Sequence, residues 1–412
     1  MPEETNAKYN ANLKIFEDSV ALKNLGKPPF IPLSMHFFPA KFAGVSNAAV
    51  MQDGELRLKC LKEVLFHYDF PMAPEDGLIW GSWPWNTLRS KQWKKPGDEL
   101  PDDKPFQFHE MEVMKADEYD AFLNDPGDFT FRKILPKITG LFEPLATLPP
   151  LHNFLYYPMF SAPYFASPDF IEMLESLKKM GEQWLEFNTQ YENYHTEITQ
   201  SGYPITYGGL GFPPFDVLSV FLRGMKGSLM DMIRRPEKVL AAIDFLTDRE
   251  ISMLKAQAEM FNNPRVAIFA YRGTDKFMSE PQFKKFYWPS LRKMIIELVD
   301  AGLTPIPYFE DDYTSRLPYL LDLPKGKVPI HYENVDRVKA REIMGDQNSF
   351  WGDIPASLLS LGTPDAVKAN VRELIDLFGD TNGLIIDGAV EIPDEAKPEN
   401  VEAVFEAIEE YS

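Results

Sequence analysis

The sequence predicts an α/β fold built on parallel strands, and three observations carry that expectation. Strand-like and helix-like segments alternate through the carboxy-terminal half, the strand segments are continuous apolar runs, and each is followed by a helix. Successive strand–helix units imply parallel strands joined by right-handed crossovers. Strands apolar on both faces are covered on both sides, in a doubly wound sheet or a barrel, and periodicity alone leaves both open.

The elements follow in chain order. Residues 265–271, "RVAIFAY", form the first clear strand. The helix within "SEPQFKKFYWPSLRKMIIELVDAG" begins at Ser279 as N-cap with Gln282 three residues on, a capping box, and Gly302 supplies its stop. Residues 304–310, "TPIPYFE", are a buried strand running into three acids, Glu310, Asp311 and Asp312. A short helix, a strand at 327–333 ("KVPIHYE"), a helix through "DRVKAREIMG" and a strand at 349–355 ("SFWGDIP") come next. In the helix at 363–379, Thr363 is the cap, Pro364 opens the first turn, and Val367, Val371, Leu374, Ile375 and Phe378 share one face. "GLIIDGA" (383–389) and a last helix, "PENVEAVFEAIEEY", complete the pattern.

The amino-terminal half is less regular. "FIPLSM" reads as a first strand that ends at His36. Trp80, Trp83 and Trp85 cluster in "GLIWGSWPWNTL" and either line an aromatic pocket or anchor an insertion. Residues 93–165 are rich in proline, aspartate and aromatic residues, and are too aromatic for disorder. They are expected to be an irregular insertion or lid near the barrel mouth. No internal repeat is present, so residues 1–412 are expected to form one domain.

Composition narrows the function classes. The chain has 412 residues, enough for a large α/β barrel with insertions. Its 42 basic and 62 acidic residues give a net charge of −20, which counts against nucleic acid or an anionic membrane as partner. No apolar run reaches the roughly 18 residues of a membrane-spanning helix. The polar start "MPEETNAKYN" carries no targeting signal, so a soluble cytoplasmic protein is expected. Cys60 is the single cysteine, which excludes an intrachain disulfide framework; it reads as a packed small hydrophobe.

Five stretches in order, "FDVLSVFLRGMKGSLMDMIRRPEKVLAAIDFL", "YRGTDKFMSEPQFKKFYWPSL", "DLPKGKV", "GDIPASLLSLGTPDAVK" and "GAVEIPDEAKPENVEA", resemble the uroporphyrinogen decarboxylase superfamily. They are most similar to its methyltransferase-related branch, over roughly the last 210 residues. The resemblance implies a (β/α)8 TIM barrel. It implies one of two chemistries, decarboxylation of a tetrapyrrole or methyl transfer involving the corrinoid (cobalamin) of a partner protein. Some of these methyltransferases hold zinc through His-x-Cys at one strand end and a later Cys. The corresponding positions here are Tyr308-Phe309-Glu310 and the neighbourhood of Asp387-Gly388-Ala389, without cysteine. The decarboxylase's arginine-rich amino-terminal stretch has no counterpart in "MHFFPAKFAG".

Active sites of such barrels sit at the carboxy-terminal ends of the strands. Those ends supply Arg272 and Asp275, Glu310 and Asp312, His331 and Glu333, Asp353, and Asp387. Glu310, His331, Asp353 and Asp387 are the candidate catalytic groups. His36, Trp83, Tyr207 (in the glycine-rich "PITYGGLGFPPF"), Arg272, Asp275, Asp312 and Glu333 are candidate substrate-binding groups, and Arg272 could pair with Asp275. Glu310 and His331, with Asp353 or Asp387, could form an N/O zinc site; the other expectation is a metal-free site with Glu310 or His331 as general acid. None of the six histidines forms an HxH or HxxxH pair.

The leading expectation is a methyltransferase that demethylates a small donor, a methoxylated aromatic by preference. It passes the methyl group to the corrinoid of a separate protein, supplied in trans because no corrinoid-binding segment is recognisable here. The alternatives are a decarboxylase of a carboxylated substrate and a non-catalytic barrel that binds a corrinoid or tetrapyrrole.

Overall fold

The computed structural model describes residues 3–23, 25–76, 81–155, 158–379 and 383–412. Six parallel strands lie in chain order: β3 (Gly209–Gly211), β4 (Arg265–Ala270), β5 (Thr304–Asp312), β6 (Ile330–Asn334), β7 (Phe350–Gly352) and β8 (Leu384–Ile385). Earlier in the chain, β1 (Trp93–Lys94) and β2 (Gln107–Phe108) make a separate antiparallel ribbon. Two further segments turn the parallel sheet into a ring. Phe30 pairs in parallel with Ile386, Ser34 with Glu75, and Ala73 with Ile205 just before β3. The segments at 30–34 and 72–75 are therefore the first two staves, and with six strands the ring is a closed eight-stave α/β barrel.

The helices cover this ring. Their order is α1 (Glu3–Val20), α2 (Gly54–Tyr68), α3 (Pro168–Gln200), α4 (Met225–Arg234), α5 (Pro236–Met260), α6 (Trp288–Asp300), α7 (Arg337–Met344), α8 (Pro364–Phe378) and α9 (Pro398–Tyr411). The Ser279–Gln282 capping box forms as expected. Thr363 caps α8, whose Val367, Val371, Leu374 and Phe378 are buried. The 33-residue helix α3 has no counterpart in the sequence reading. Its apolar stripe is blurred because Ile171, Leu174 and Leu185 are exposed, and Gly181 interrupts it.

All five expected strands differ in their limits: those expected at 265–271, 349–355 and 383–389 are shorter, and the other two differ for local reasons. The strand expected at 327–333 starts at Ile330, because Pro329 has no N–H to give the ladder. The strand expected at 304–310 runs on to Asp312 through an irregular register between Phe309 and Asp312, with Asp311 at φ 67°.

The barrel interior is filled, and α1 closes its floor. Phe16 and Val20 of α1 pack with Ile31, Leu33, Met72, Ala267, Ile306, Trp351 and Ile385 from the staves. The Trp351 indole N–H donates to the Ile31 carbonyl at 2.9 Å, and Ser349 Oγ donates to the Ser19 carbonyl at 2.9 Å. Arg265, at the lower end of β4, donates to the carbonyls of Thr206 and Ile205 and lies 5.9 Å from the Phe16 ring. With the floor sealed, the strand ends at the opposite face hold the accessible chemistry.

The plug gives a stability prediction. Phe16 is 2% exposed and meets Trp351 edge-on at 5.8 Å. Phe16→Ala should cost about 3–5 kcal/mol, read as a lower denaturant midpoint at unchanged slope. A midpoint within experimental scatter of wild type would mean α1 does not hold the floor.

Candidate active site

Each stave delivers a side chain from its last residues, and the ring decides which of them meet. His331, on β6, is fully buried with its ring 5.0 Å from Tyr308 and 5.6 Å from Trp351. Its Nε2 lies 3.0 Å from Asp387 Oδ2 just past β8. The same carboxylate oxygen accepts the Leu33 N–H at 2.8 Å, and Oδ1 accepts the Gly388 N–H at 2.7 Å. Because Oδ2 already acts as an acceptor, the imidazole is best assigned as donating from Nε2. Nδ1 then carries a bare lone pair, and it has no protein partner. Burial pushes the Asp387 carboxyl up, against the pull of His331 and the two backbone N–H groups.

Glu310 is half-buried at the end of β5. Burial, with the neighbouring Glu333 and Asp216 carboxylates, pushes its carboxyl up to about 7, and Arg272 opposes the shift. Asp216 is likewise pushed up to about 7 by burial while it accepts from the Tyr271 N–H and the Tyr287 hydroxyl. Above these acids stand three phenols. Tyr271 and Tyr308 both feel Glu310, and Tyr308 and Tyr207 both feel Glu391. The hydroxyls of Tyr207 and Tyr308 are buried and have no protein partner. Together with His331 Nδ1 and the unpaired Glu391 Oε2, they are polar atoms that a bound molecule or water must satisfy.

The cations at this face each lie beside a carboxylate, although the Arg57 guanidinium nitrogens and Arg272 Nε have no hydrogen-bond partner. His36, past the first stave, has its Nδ1 2.5 Å from Glu391 Oε1. Burial works against its charge, but Glu391, backed by Asp394 and Asp76, outweighs it and lifts His36 to about 9. Arg272 pairs with Glu110, which also accepts the Met225 N–H at the start of α4. Arg57 on α2 pairs with Asp76 at 2.9 Å. The sequence did not single out Glu75, Asp76, Glu110, Asp216 or Glu391; the signal for Glu391 is its place in "GAVEIPDE", four residues past Asp387.

Several expected members lie apart from this cluster. Asp353 is buried but bound to Arg337 Nε at 2.8 Å, at the start of α7, with Asn370 also on that guanidinium. The helix layer uses that carboxylate. Arg272 does not pair with Asp275; Asp275 binds Arg316 at 2.7 Å because Glu110 takes Arg272. Asp312 is exposed and accepts the Thr314 N–H, closing a turn. Glu333 stays near Glu310 and accepts the Asp311 N–H at 2.6 Å. Trp83 meets Trp184 of α3 edge-on at 5.5 Å, which is the anchoring role; Trp80 lies outside the described residues. Among the described residues no group of three or more His, Cys, Asp or Glu side chains is arranged to hold a metal ion. His331 Nε2 is held by Asp387, which leaves only Nδ1 as a donor, and neither it nor Glu310 belongs to a group arranged to hold the expected zinc.

The uroporphyrinogen decarboxylase (URO-D) family matches residues 155–411. A uroporphyrinogen decarboxylase of Syntrophotalea carbinolica is 24% identical over 205 residues, 48% of this chain and 58% of that protein. One from Pseudoalteromonas translucida is 20% identical over 213 residues, 50% of this chain and 58% of that protein. The match thus spans little more than half the length of these relatives. In overall fold, a methyltransferase from Methanosarcina mazei superposes with a TM-score of 0.61 at 15% identity, covering 97% of this chain and 98% of that one. No helix among the described residues is long and apolar enough to cross a membrane.

The buried acids give a pH prediction. Burial raises Glu75 from its ordinary 4.5 to about 8, although the Tyr191 hydroxyl bond pulls it down. Between those values the folded protein keeps a proton that the unfolded chain has released, so raising the pH through that window favours unfolding. His195 beside it is lowered to about 4 by burial, so it is neutral in both states above its ordinary 6.5. From roughly pH 6.5 to 8 the wild type should therefore lose stability, with Glu75 contributing about 1 kcal/mol per pH unit. Glu75→Gln should show a shallower fall in melting temperature, and parallel wild-type and variant curves would refute the assignment.

Proposed function

We propose a reaction from one premise: the chain belongs to the uroporphyrinogen decarboxylase (URO-D) family. The reaction is methyl transfer, in which a small neutral methyl donor, by preference a methoxylated aromatic, is demethylated at the barrel mouth. The methyl acceptor is the corrinoid of a separate protein, which supplies a strong nucleophile when it is presented to the mouth. One observation carries this choice. The strand-end acid Glu310 is pushed up to about 7, beside aromatic groups, at a face whose Arg272, His36 and Arg57 are each matched by a carboxylate.

The chain's own residues suit the donor half of the reaction. A methyl ether is a poor donor because its leaving oxygen departs with the electron pair of the broken C–O bond. A positioned acid that gives that oxygen a proton lowers the barrier. Glu310 still holds a proton near neutral pH and so can supply it, ending as the carboxylate with Arg272 close by. Tyr207 and Tyr308 have hydroxyls free to orient an oxygen, and the aromatic walls match a flat donor. His331, fixed by Asp387, presents Nδ1 as an acceptor in the same interior.

Decarboxylation is the second reading, favoured by the names of the curated relatives. A substrate with several carboxylates would need unmatched cations, and the acids around Glu310 oppose it.

The test is methyl transfer to free cob(I)alamin from a panel of methoxyarenes, with decarboxylation assayed in parallel. Glu310→Gln should fall about 100- to 10,000-fold in rate while binding the donor nearly as well. Wild-type activity should decline as pH rises through about 7, where Glu310 loses its proton. A well-folded Glu310→Gln variant with most of its activity would remove Glu310 from the mechanism.

A further inference from the structure

We propose that a lateral cavity between α1, α3 and the third stave binds a neutral phenol at a site separate from the barrel mouth. The cavity holds about 630 Å³, within the range of small-molecule sites. It exists because the second and third staves are joined at Ala73–Ile205, below Glu75. Glycines at 208 and 209 form part of the wall, where an added Cβ would press on Asn263 or Val266. Tyr9 enters from α1, Tyr191 and His195 from α3, and Phe261 from the end of α5.

The ligand class follows from a polar atom that lacks a partner. His195 Nε2 is buried and unbonded, 4.0 Å from Glu75 Oε2, which is beyond hydrogen-bond reach. A phenol can donate its proton to this nitrogen, with its ring against Tyr9, Tyr191 and Phe261. Charge argues against ionic ligands. The Arg265 guanidinium would repel a cation, and its Nε and Nη2 donors are committed to the Thr206 and Ile205 carbonyls, which leaves an anion only Nη1. Glu75 accepts from the Tyr191 hydroxyl and would repel an anion once ionised. Burial keeps both Glu75 and His195 uncharged near neutral pH, consistent with a neutral guest.

Calorimetric titration of the full chain with phenol tests this without measuring methyl transfer. Benzoate and tetramethylammonium serve as anionic and cationic probes. The expected result is one phenol bound per chain and neither ion bound. Phenol binding should weaken about tenfold in His195→Phe, the loss of one hydrogen bond. It should vanish in Thr199→Trp, which places an indole in the cavity from the outer turn of α3. If either variant melts early, the wild-type His195 ring resonance decides: a shift on adding phenol supports the site, and no shift overturns it. Absence of phenol binding to the wild type, unchanged binding in folded Thr199→Trp, or tighter binding of tetramethylammonium would also overturn it.

Discussion

A single buried carboxylate joins the two ends of this barrel. Asp387 has no exposure, and an unpaired carboxylate in such a place would cost several kcal/mol. It is tolerated because two backbone N–H groups and an imidazole converge on it. One of those N–H groups belongs to Leu33, on the first stave, so satisfying the carboxylate also fixes the last stave against the first. The same bond sets the ring orientation of His331, which leaves Nδ1 directed away from Asp387. Closure of the fold and preparation of the interior thus share one group of atoms.

The upper layer obeys a different rule. Burial pushes its carboxyl groups up, and neighbouring carboxylates add to this at Glu310 and Glu75, so Glu310, Asp216 and Glu75 hold their protons well above the ordinary range. Cations that might have relieved this are matched one to one: His36 with Glu391, Arg272 with Glu110, Arg57 with Asp76. The result is a face of proton donors and phenols in which no strong cationic field is left over. Such a face suits a neutral substrate whose leaving atom gains charge during reaction, because fixed donors stabilise that charge as it develops.

What the sequence disclosed, and what it did not, divides along the length of the contacts. The strands carrying Glu310, His331 and Asp387 are apolar runs bounded by glycine or proline, and such runs announce themselves locally. Helix α8 is legible for the same reason, with its cap and its single apolar face. The second and third staves are short, and the second is joined to its neighbours by isolated pairings, so no run of residues reveals it. Asp353 was misplaced because an acid at a strand end looks the same whether it faces the mouth or an arginine on the next helix; Arg337 decided the matter. Arg272 has an acid three residues away, yet its partner is Glu110, 162 residues distant, and no local pattern encodes that choice. The lateral cavity was invisible because its walls come from four separate segments.

The bond from Leu33 to Asp387 spans 354 residues. A chain emerging amino terminus first must therefore carry its first stave, an apolar edge with unpaired backbone groups, through the synthesis of 354 further residues before the partner appears. Contacts of such separation come late and slowly, and an open edge invites pairing with other chains in the meantime. The first two staves are short, and the segments beside them are wrapped by helices formed from nearby sequence. Brevity and early local cover limit what a nascent chain exposes, so the same irregularity that hides these staves from sequence inspection also shields them from neighbouring molecules while the ring is incomplete.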